Sequence, residues 1–168
     1  MIYVPRDASN EQVLDTVRGW IDLLATEDYE AAFAAIAFYT PNETWTADFI
    51  RIAIRNYRSP RYYPGVEEFR VTDWRTAQPL NPEAEQTVSW YKTGPTFALA
   101  GSVAFDLPLN GYWSSLEAEF AIWEDGDLED GYLLGLDEIG SWEQRQLIGA
   151  EDVDADVDAD VDAEVNER

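Results

Sequence analysis

The stretch FALAGSVAFDL, residues 97–107, alternates larger side chains or glycine with small ones. Successive side chains of a strand point to opposite faces, so this pattern predicts a strand with one bulky face and one small face. Pro108-Leu109-Asn110-Gly111 then breaks the alternation, and Asn-Gly is a strong signal for a tight turn between two strands. The sequence therefore predicts a β-hairpin at this point.

A second alternating strand follows the turn. One face carries Leu116, Ala118, Phe120 and Ile122, and the other carries Glu117, Glu119 and Trp123. Glu-Asp-Gly-Asp at 124–127 predicts the next turn, and Tyr132, Leu134 and Leu136 begin a third strand. We expect these three antiparallel strands to form the centre of a sheet.

Three helices are predicted before the sheet, after a short lead-in at residues 1–8. Ser9 to Gln12 fits a capping box, and an apolar stripe at helical spacing follows it as far as Leu24. Asp28 can cap a second helix. A third helix is predicted from about Glu43 to Arg58. Its expected buried stripe is Trp45, Phe49, Ile52 and Ala53, widened by Ile50, Ile54 and Tyr57.

Two further strands are predicted between the helices and the central hairpin, at Val66–Trp74 and Gln86–Lys92. The fold class is therefore α+β, with N-terminal helices packed on an antiparallel sheet of about five strands. The length of the chain suits one domain, which we place at residues 1–149.

The composition changes from Ala150, where Asp-Val-Asp-Ala repeats and nine acidic residues face one basic residue, Arg168. Dense like charge with only Val and Ala to bury predicts a disordered acidic tail, residues 150–168. A calcium site is the alternative, but the Gly bend and bidentate Glu of an EF-hand loop are missing.

The formal net charge is −23, and Lys92 is the single lysine beside ten arginines. Such a surface repels nucleic acid and anionic membranes, because phosphates dominate those contacts. Three interpretations stay open: adaptation to a salty cytoplasm, capture of a basic protein such as a nuclease toxin, and mimicry of nucleic acid.

The chain contains neither Cys nor His, which removes disulfides, thiol catalysis, the commonest general base and the commonest metal ligand. We therefore expect no cofactor, no metal site and no catalytic residue, and favour a non-enzymatic binding domain. Glu117 and Glu119 share a strand face, so a carboxylate-dependent enzyme is the alternative to a solvated face. No membrane span or signal peptide is recognised, so the expected location is cytoplasmic.

Positive charge is concentrated on the third helix. Arg51, Arg55 and Arg58 recur at i, i+4 and i+7, which places them on one helical face. They can pair with acids such as Asp48 or complete the helix C-terminus, or they can bind a small anionic ligand, since guanidinium groups grip carboxylates and phosphates. The candidate ligand-binding residues are Trp45, Arg51, Arg55, Tyr57, Arg58 and Tyr63.

Two segments resemble known families. Val17–Leu24 with Glu27–Ala32 is similar to the first helical pair of the nuclear transport factor 2-like superfamily, and the order of helices and strands also resembles that cone-shaped fold. The segment Phe105–Leu116 resembles a small uncharacterised prokaryotic family with an Asp-Leu-Pro-Leu-Asn-Gly-x-Trp-Ser core, some of whose members resemble immunity proteins. The resemblance implies a curved sheet wrapped around a helix, with a pocket. It leaves the choice between enzyme and binding module open.

Overall fold

The computed structural model describes residues 1–36, 45–91, 98–124 and 131–141. Within these ranges the elements are β1 (Ile2–Pro5), α1 (Asn10–Ala25), α2 (Tyr29–Ala35), α3 (Ala47–Arg55), β2 (Gln86–Trp90), β3 (Leu99–Leu109), β4 (Tyr112–Glu124) and β5 (Gly131–Gly140). The predicted tail at 150–168, the domain end at 149, Lys92, the first residues of the predicted third helix and most of the turn at 124–127 lie outside the described residues.

The predicted hairpin is confirmed. β3 and β4 pair up to Leu109 and Tyr112, which leaves a two-residue loop. Asn110 and Gly111 in that loop have φ angles of 52° and 90°. Two successive positive φ angles match a type I′ turn, whose twist suits the flanking strands, and Asn and Gly are the residues that adopt them most readily.

All five described strands form one antiparallel sheet in the order β1-β5-β4-β3-β2. The predicted strand Val66–Trp74 is wrong, because within it only Val71 forms a bridge, to Leu109. Its backbone instead bonds to the turn end of the hairpin: the Thr72 N–H donates to Pro108 O, near the end of β3, at 2.9 Å. The fifth strand is β1, which lies within the predicted lead-in at residues 1–8. It pairs with β5 at the edge of the sheet.

α1 covers the inner face of the sheet. Its predicted capping box between Ser9 and Gln12 is present, and its apolar stripe is buried from Val13 to Leu24. The Trp20 ring stands edge-on to Phe120 of β4 with 5.1 Å between centroids, and its indole N–H donates to Ala32 O at 2.9 Å. Trp20 therefore joins α1, α2 and the sheet. None of the described helices has the length and apolar content needed to cross a membrane.

The sheet is curled around this core. Trp90 of β2 and Tyr132 of β5 have ring centroids 5.4 Å apart, although β3 and β4 separate their strands. Neighbouring strands lie about 4.8 Å apart, so a flat sheet would hold β2 and β5 about 14 Å apart. The contact between the two rings therefore requires strong curvature.

α3 is shorter and turned differently from the prediction. It begins after its N-cap, Thr46, and ends at Arg55. Phe49 and Ile52, expected to be buried, are 56% and 45% exposed, whereas Ile50, Ile54 and Tyr57 are fully buried. Two apolar stripes run along opposite sides of this helix, and the stripe that includes Tyr57 fits against the sheet.

Candidate functional site

The hairpin loop holds the long connection between α3 and β2. The Asn110 side chain accepts a hydrogen bond from the Arg70 N–H at 3.1 Å and donates one to Glu68 O at 3.0 Å. The Asn110 N–H also donates to Arg70 O at 3.1 Å. The Asn110 side chain and backbone together thus bind residues 68–70 to the hairpin loop.

Other residues of the Asp-Leu-Pro-Leu-Asn-Gly-x-Trp-Ser segment hold the same connection further along. Asp106 Oδ2 accepts the Glu85 N–H at 2.7 Å, Trp113 N donates to Gln78 O at 3.0 Å, and the Asn81 side chain donates to Ser114 O at 3.2 Å. These contacts give the segment a structural role, which is to hold the connection between α3 and β2 in place.

The connection is also bound to α1. Arg75 forms a bidentate ion pair with Asp22, with N–O distances of 2.8 and 2.9 Å, and this pair with its hydrogen bonds holds the pKa of Asp22 below its usual range. The Trp74 N–H donates to the same carboxylate at 3.1 Å. The guanidinium groups of Arg18 and Arg75 lie 5.0 and 4.4 Å from the Trp74 ring. These contacts hold the middle of the connection against α1.

An open cleft of about 770 Å³ lies between the start of α2, α3 and this loop. Its charged walls are Arg51 and Arg55 from α3, Glu68 and Arg70 from the loop, and Glu27 from the turn between α1 and α2. Tyr29, Phe69 and Asn110 complete the lining. A neighbouring groove of about 410 Å³ shares three of these residues and adds Ile52, Asn56, Arg58 and Glu67.

Most of the charges in the cleft are unpaired. Arg51 forms an ion pair with Asp48 at 2.7 Å. This pairing is one of the structural alternatives expected for the arginine stripe of α3, which consists of Arg51, Arg55 and Arg58. Glu27, Arg55, Glu68 and Arg70 are exposed, and none of them has an ion-pair partner within 4.0 Å in the part of the chain that the structure describes. Charges of both signs thus line one cavity without forming ion pairs with each other.

Tyr29 lies within reach of both signs of charge. Burial raises the pKa of its hydroxyl, and Glu27 raises it further, whereas Arg51 and Arg55 lower it. The half-buried Tyr29 lines the cleft together with Glu27, Arg51 and Arg55, which is why charges of both signs act on its hydroxyl.

Glu27 has an unusual backbone for its residue type. Its φ is 58°, the left-handed region that favours glycine. The Glu27 N–H donates to Leu24 O at 3.0 Å and the Asp28 N–H donates to Leu23 O at 3.0 Å, which together form a Schellman motif at the end of α1. Glycine usually occupies this position, and a side chain there costs about 1 kcal/mol.

The predicted site residues fall into two groups. Arg51 and Arg55 line the cleft, and Arg58 lines the neighbouring groove while its guanidinium donates to Arg55 O and Tyr57 O at 2.9 and 2.6 Å. Arg58 therefore completes the C-terminus of α3, the other structural alternative for the stripe.

The aromatic candidates lie elsewhere. Tyr57 is fully buried with its hydroxyl 2.9 Å from Ser115 Oγ, and the Tyr63 hydroxyl donates to Leu109 O and Tyr112 O at 3.1 and 3.2 Å. Burial, as the main cause, raises the pKa of Tyr63 far above its usual range. Trp45 is partly buried against the core, and its indole N–H is buried without a hydrogen-bond partner among the described residues.

Six further residues line the cleft and were not predicted as site residues: Glu27, Tyr29, Glu68, Phe69, Arg70 and Asn110. They come from three separate parts of the chain. The Asn-Gly pattern predicts the turn. The second role of Asn110, which is to bind residues 68–70, depends on hydrogen bonds between residues about forty positions apart in sequence.

Glu117 and Glu119 share one face of β4, as predicted, and that face is the outer face of the sheet. Glu117 stands opposite Asp106, and Glu119 stands opposite Glu138. Asp106 is buried, and desolvation raises its pKa to about 6. In the described ranges, no group of three or more acidic residues is arranged to hold a metal ion. Glu119 also lines an outer cleft of about 290 Å³ with Tyr91 and Asp137.

No protein-family model, curated protein or solved structure matches the chain.

Proposed function

We propose that this protein is a non-enzymatic binding domain that takes a small anionic ligand in the cleft beside α3. The observation that carries the proposal is the convergence of Arg51, Arg55 and Arg70 on one cavity, in a chain whose net charge is −23. Two of these guanidinium groups have no ion-pair partner in the described ranges. Carboxylates and phosphates match the geometry of the guanidinium group, so they are the expected anionic groups.

The test is thermal stabilisation by inorganic phosphate and by acetate, each compared with chloride at constant ionic strength. Constant ionic strength matters because any salt screens the repulsion within so acidic a chain. A ligand at about 100 times its Kd stabilises the folded state by about 2.7 kcal/mol. We expect at least one of the two anions to raise the melting temperature of the unaltered protein.

The variants Arg55→Ala and Arg70→Ala should lose this stabilisation. Arg61→Ala is the matched control, because Arg61 is also exposed, carries the same charge and stacks on Tyr62 outside the cleft. Equal losses in all three variants, or no stabilisation of the unaltered protein, would contradict the proposal. Loss of stability in Arg55→Ala without any ligand would instead favour a structural role for the stripe.

The cone shape of nuclear transport factor 2-like domains is part of the proposal. Its support is the curled antiparallel sheet of five described strands with helices packed on its inner face. An experimental structure of the chain is the test, since a cone would enclose α1 within the sheet and leave an opening at one end. A sheet that stayed open and flat would contradict it.

A basic protein is the second candidate partner, as for immunity-type proteins that neutralise a basic toxin. The supporting observation is the set of carboxylates on the outer face, where Glu119 stands beside Glu138 and Glu117 lies on the same face of β4. Such a partner should associate more slowly as salt rises. Salt adaptation alone predicts instead a melting temperature that keeps rising with potassium chloride into the molar range and no binding of a basic protein.

A further inference from the structure

We infer that the ligand of this cleft carries a cationic group as well as an anionic one, as amino acids and other small zwitterions do. The inference rests on the proposed function, because it concerns the same cleft. Its first basis is the pair of acidic residues in the cleft: Glu27 and Glu68 line the cavity together with Arg55 and Arg70. These exposed side chains form no ion pair with each other within 4.0 Å.

The charge pattern disfavours a purely anionic ligand. A carboxylate bound to Arg55 and Arg70 would share the cavity with Glu27 and Glu68, and like charges in one site oppose each other. An ammonium group on the same ligand would lie against those glutamates and turn the repulsion into attraction. Tyr29 lines the same cavity as these charged residues, so its ring is placed to contact such a ligand.

The second basis is the backbone of Glu27. The Schellman motif that ends α1 uses the N–H groups of Glu27 and Asp28, and neither bond requires a side chain at Glu27. Its φ of 58° is a conformation that glycine adopts without strain. The helix end therefore explains the backbone of Glu27 but not its carboxylate. A strained residue whose side chain lines a cleft is the pattern expected of a binding residue.

The experiment compares zwitterions with carboxylates of the same carbon length. The probe pairs are glycine with acetate, β-alanine with propionate, and γ-aminobutyrate with butyrate, each titrated calorimetrically at fixed ionic strength and neutral pH. We expect at least one zwitterion to bind about tenfold more tightly than its matched carboxylate. Arg55→Ala should abolish binding of both members of that pair.

Two substitutions at Glu27 separate recognition from folding. Glu27→Gly should raise the melting temperature, because it relieves the strain, and should remove the preference for the zwitterion. Glu27→Gln keeps the strain and nearly the same shape, so it should leave the melting temperature close to that of the unaltered protein while also removing the preference.

The outcomes distinguish this inference from the proposed function. If carboxylates bind in an Arg55-dependent way and the amino group adds nothing, the inference is wrong and anion binding stands. Retention of the preference in Glu27→Gln also overturns it. If neither carboxylates nor zwitterions bind, and phosphate does not stabilise the protein, the proposed function fails and the inference fails with it.

Discussion

The buried carboxylate of Asp106 accepts the backbone N–H of Glu85 at 2.7 Å, and the Asp106 N–H donates to Glu85 O at 3.0 Å. This reciprocal pair attaches the end of the long connection to β3. Asp106 is only 6% exposed, and desolvation raises its pKa to about 6 from an ordinary value of 3.8. Ionisation of Asp106 in the folded state therefore lowers the free energy of unfolding.

Asp106 should make stability depend on pH. Above pH 6 the carboxyl is ionised in both folded and unfolded chains, so the cost of burying its charge is fully present. Between pH 6 and about 4 the folded state takes up a proton first, so stability rises as pH falls. The difference in pKa corresponds to about 3 kcal/mol as an upper estimate.

The variant Asp106→Asn isolates this effect, because the amide oxygen can still accept the Glu85 N–H but cannot ionise. The stability of the variant relative to the unaltered protein should fall by up to about 3 kcal/mol from pH 7 to pH 4, measured by urea unfolding. Asp137→Asn, at the exposed residue of β5, reports how loss of one negative charge alone changes the profile. A difference curve for Asp106→Asn that is flat with pH would show that burial does not perturb this group.

The Asn110 side chain should stabilise the fold through two separable effects. Asn110→Gly keeps the left-handed turn but removes the hydrogen bonds to Arg70 and Glu68, so it should lower the free energy of unfolding by about 2 kcal/mol. Asn110→Ala also strains the turn and should lower it by about 3 kcal/mol. Chemical denaturation measures both.

The same two variants should also weaken anion binding, because residues 68–70 carry one wall of the cleft. If Asn110→Gly were as stable as the unaltered protein, the side-chain bonds would contribute nothing and the turn alone would explain this asparagine.

Tyr57 should behave as a core residue and not as a ligand residue. Tyr57→Phe removes the hydrogen bond to Ser115 within the core, which should lower the free energy of unfolding by about 1–2 kcal/mol. Phosphate or acetate should stabilise this variant as much as the unaltered protein, the reverse of the pattern expected for Arg55→Ala. Loss of anion binding in Tyr57→Phe at unchanged stability would return Tyr57 to the ligand site.

Local signals in the sequence were sufficient for the central hairpin and for α1. The Asn110–Gly111 turn and the Ser9–Gln12 capping box each act within four residues, so their physics is contained in the short segment. β1 lacked such a signal, because it is four residues long, ends in Pro5 and pairs with β5, far along the chain. Its assignment needs the partner strand.

The cleft was predictable in part. Arg51 and Arg55 share a helical face by spacing alone, and the structure places both on the cleft. The positions of the acidic cleft residues, Glu27 and Glu68, could not be predicted from spacing. Glu68 and Arg70 lie in a segment whose alternation suggested a strand, and their position follows from bonds to Asn110 that the sequence does not encode locally.

Two glycine-to-alanine substitutions should change stability in opposite directions. Gly19 lies on α1 with no atom within 4 Å of the place where a methyl group would be, so Gly19→Ala should stabilise the protein by about 1 kcal/mol through helix propensity. Gly101 pairs with Trp90 in the sheet, and a methyl group there would overlap Ser89 O of β2 and lie 3.3 Å from Ile122 Cδ1. Ser89 O is a backbone atom, so β2 itself would have to move, and Gly101→Ala should destabilise the protein by about 1–3 kcal/mol.

Amide hydrogen exchange adds a local measurement of this effect. The Tyr91 N–H, which donates to Ala100 O at 2.9 Å, should exchange faster in Gly101→Ala and at an unchanged rate in Gly19→Ala. Equal stability of the two variants would mean that β2 does not approach β3 as closely at this point as the structure places it.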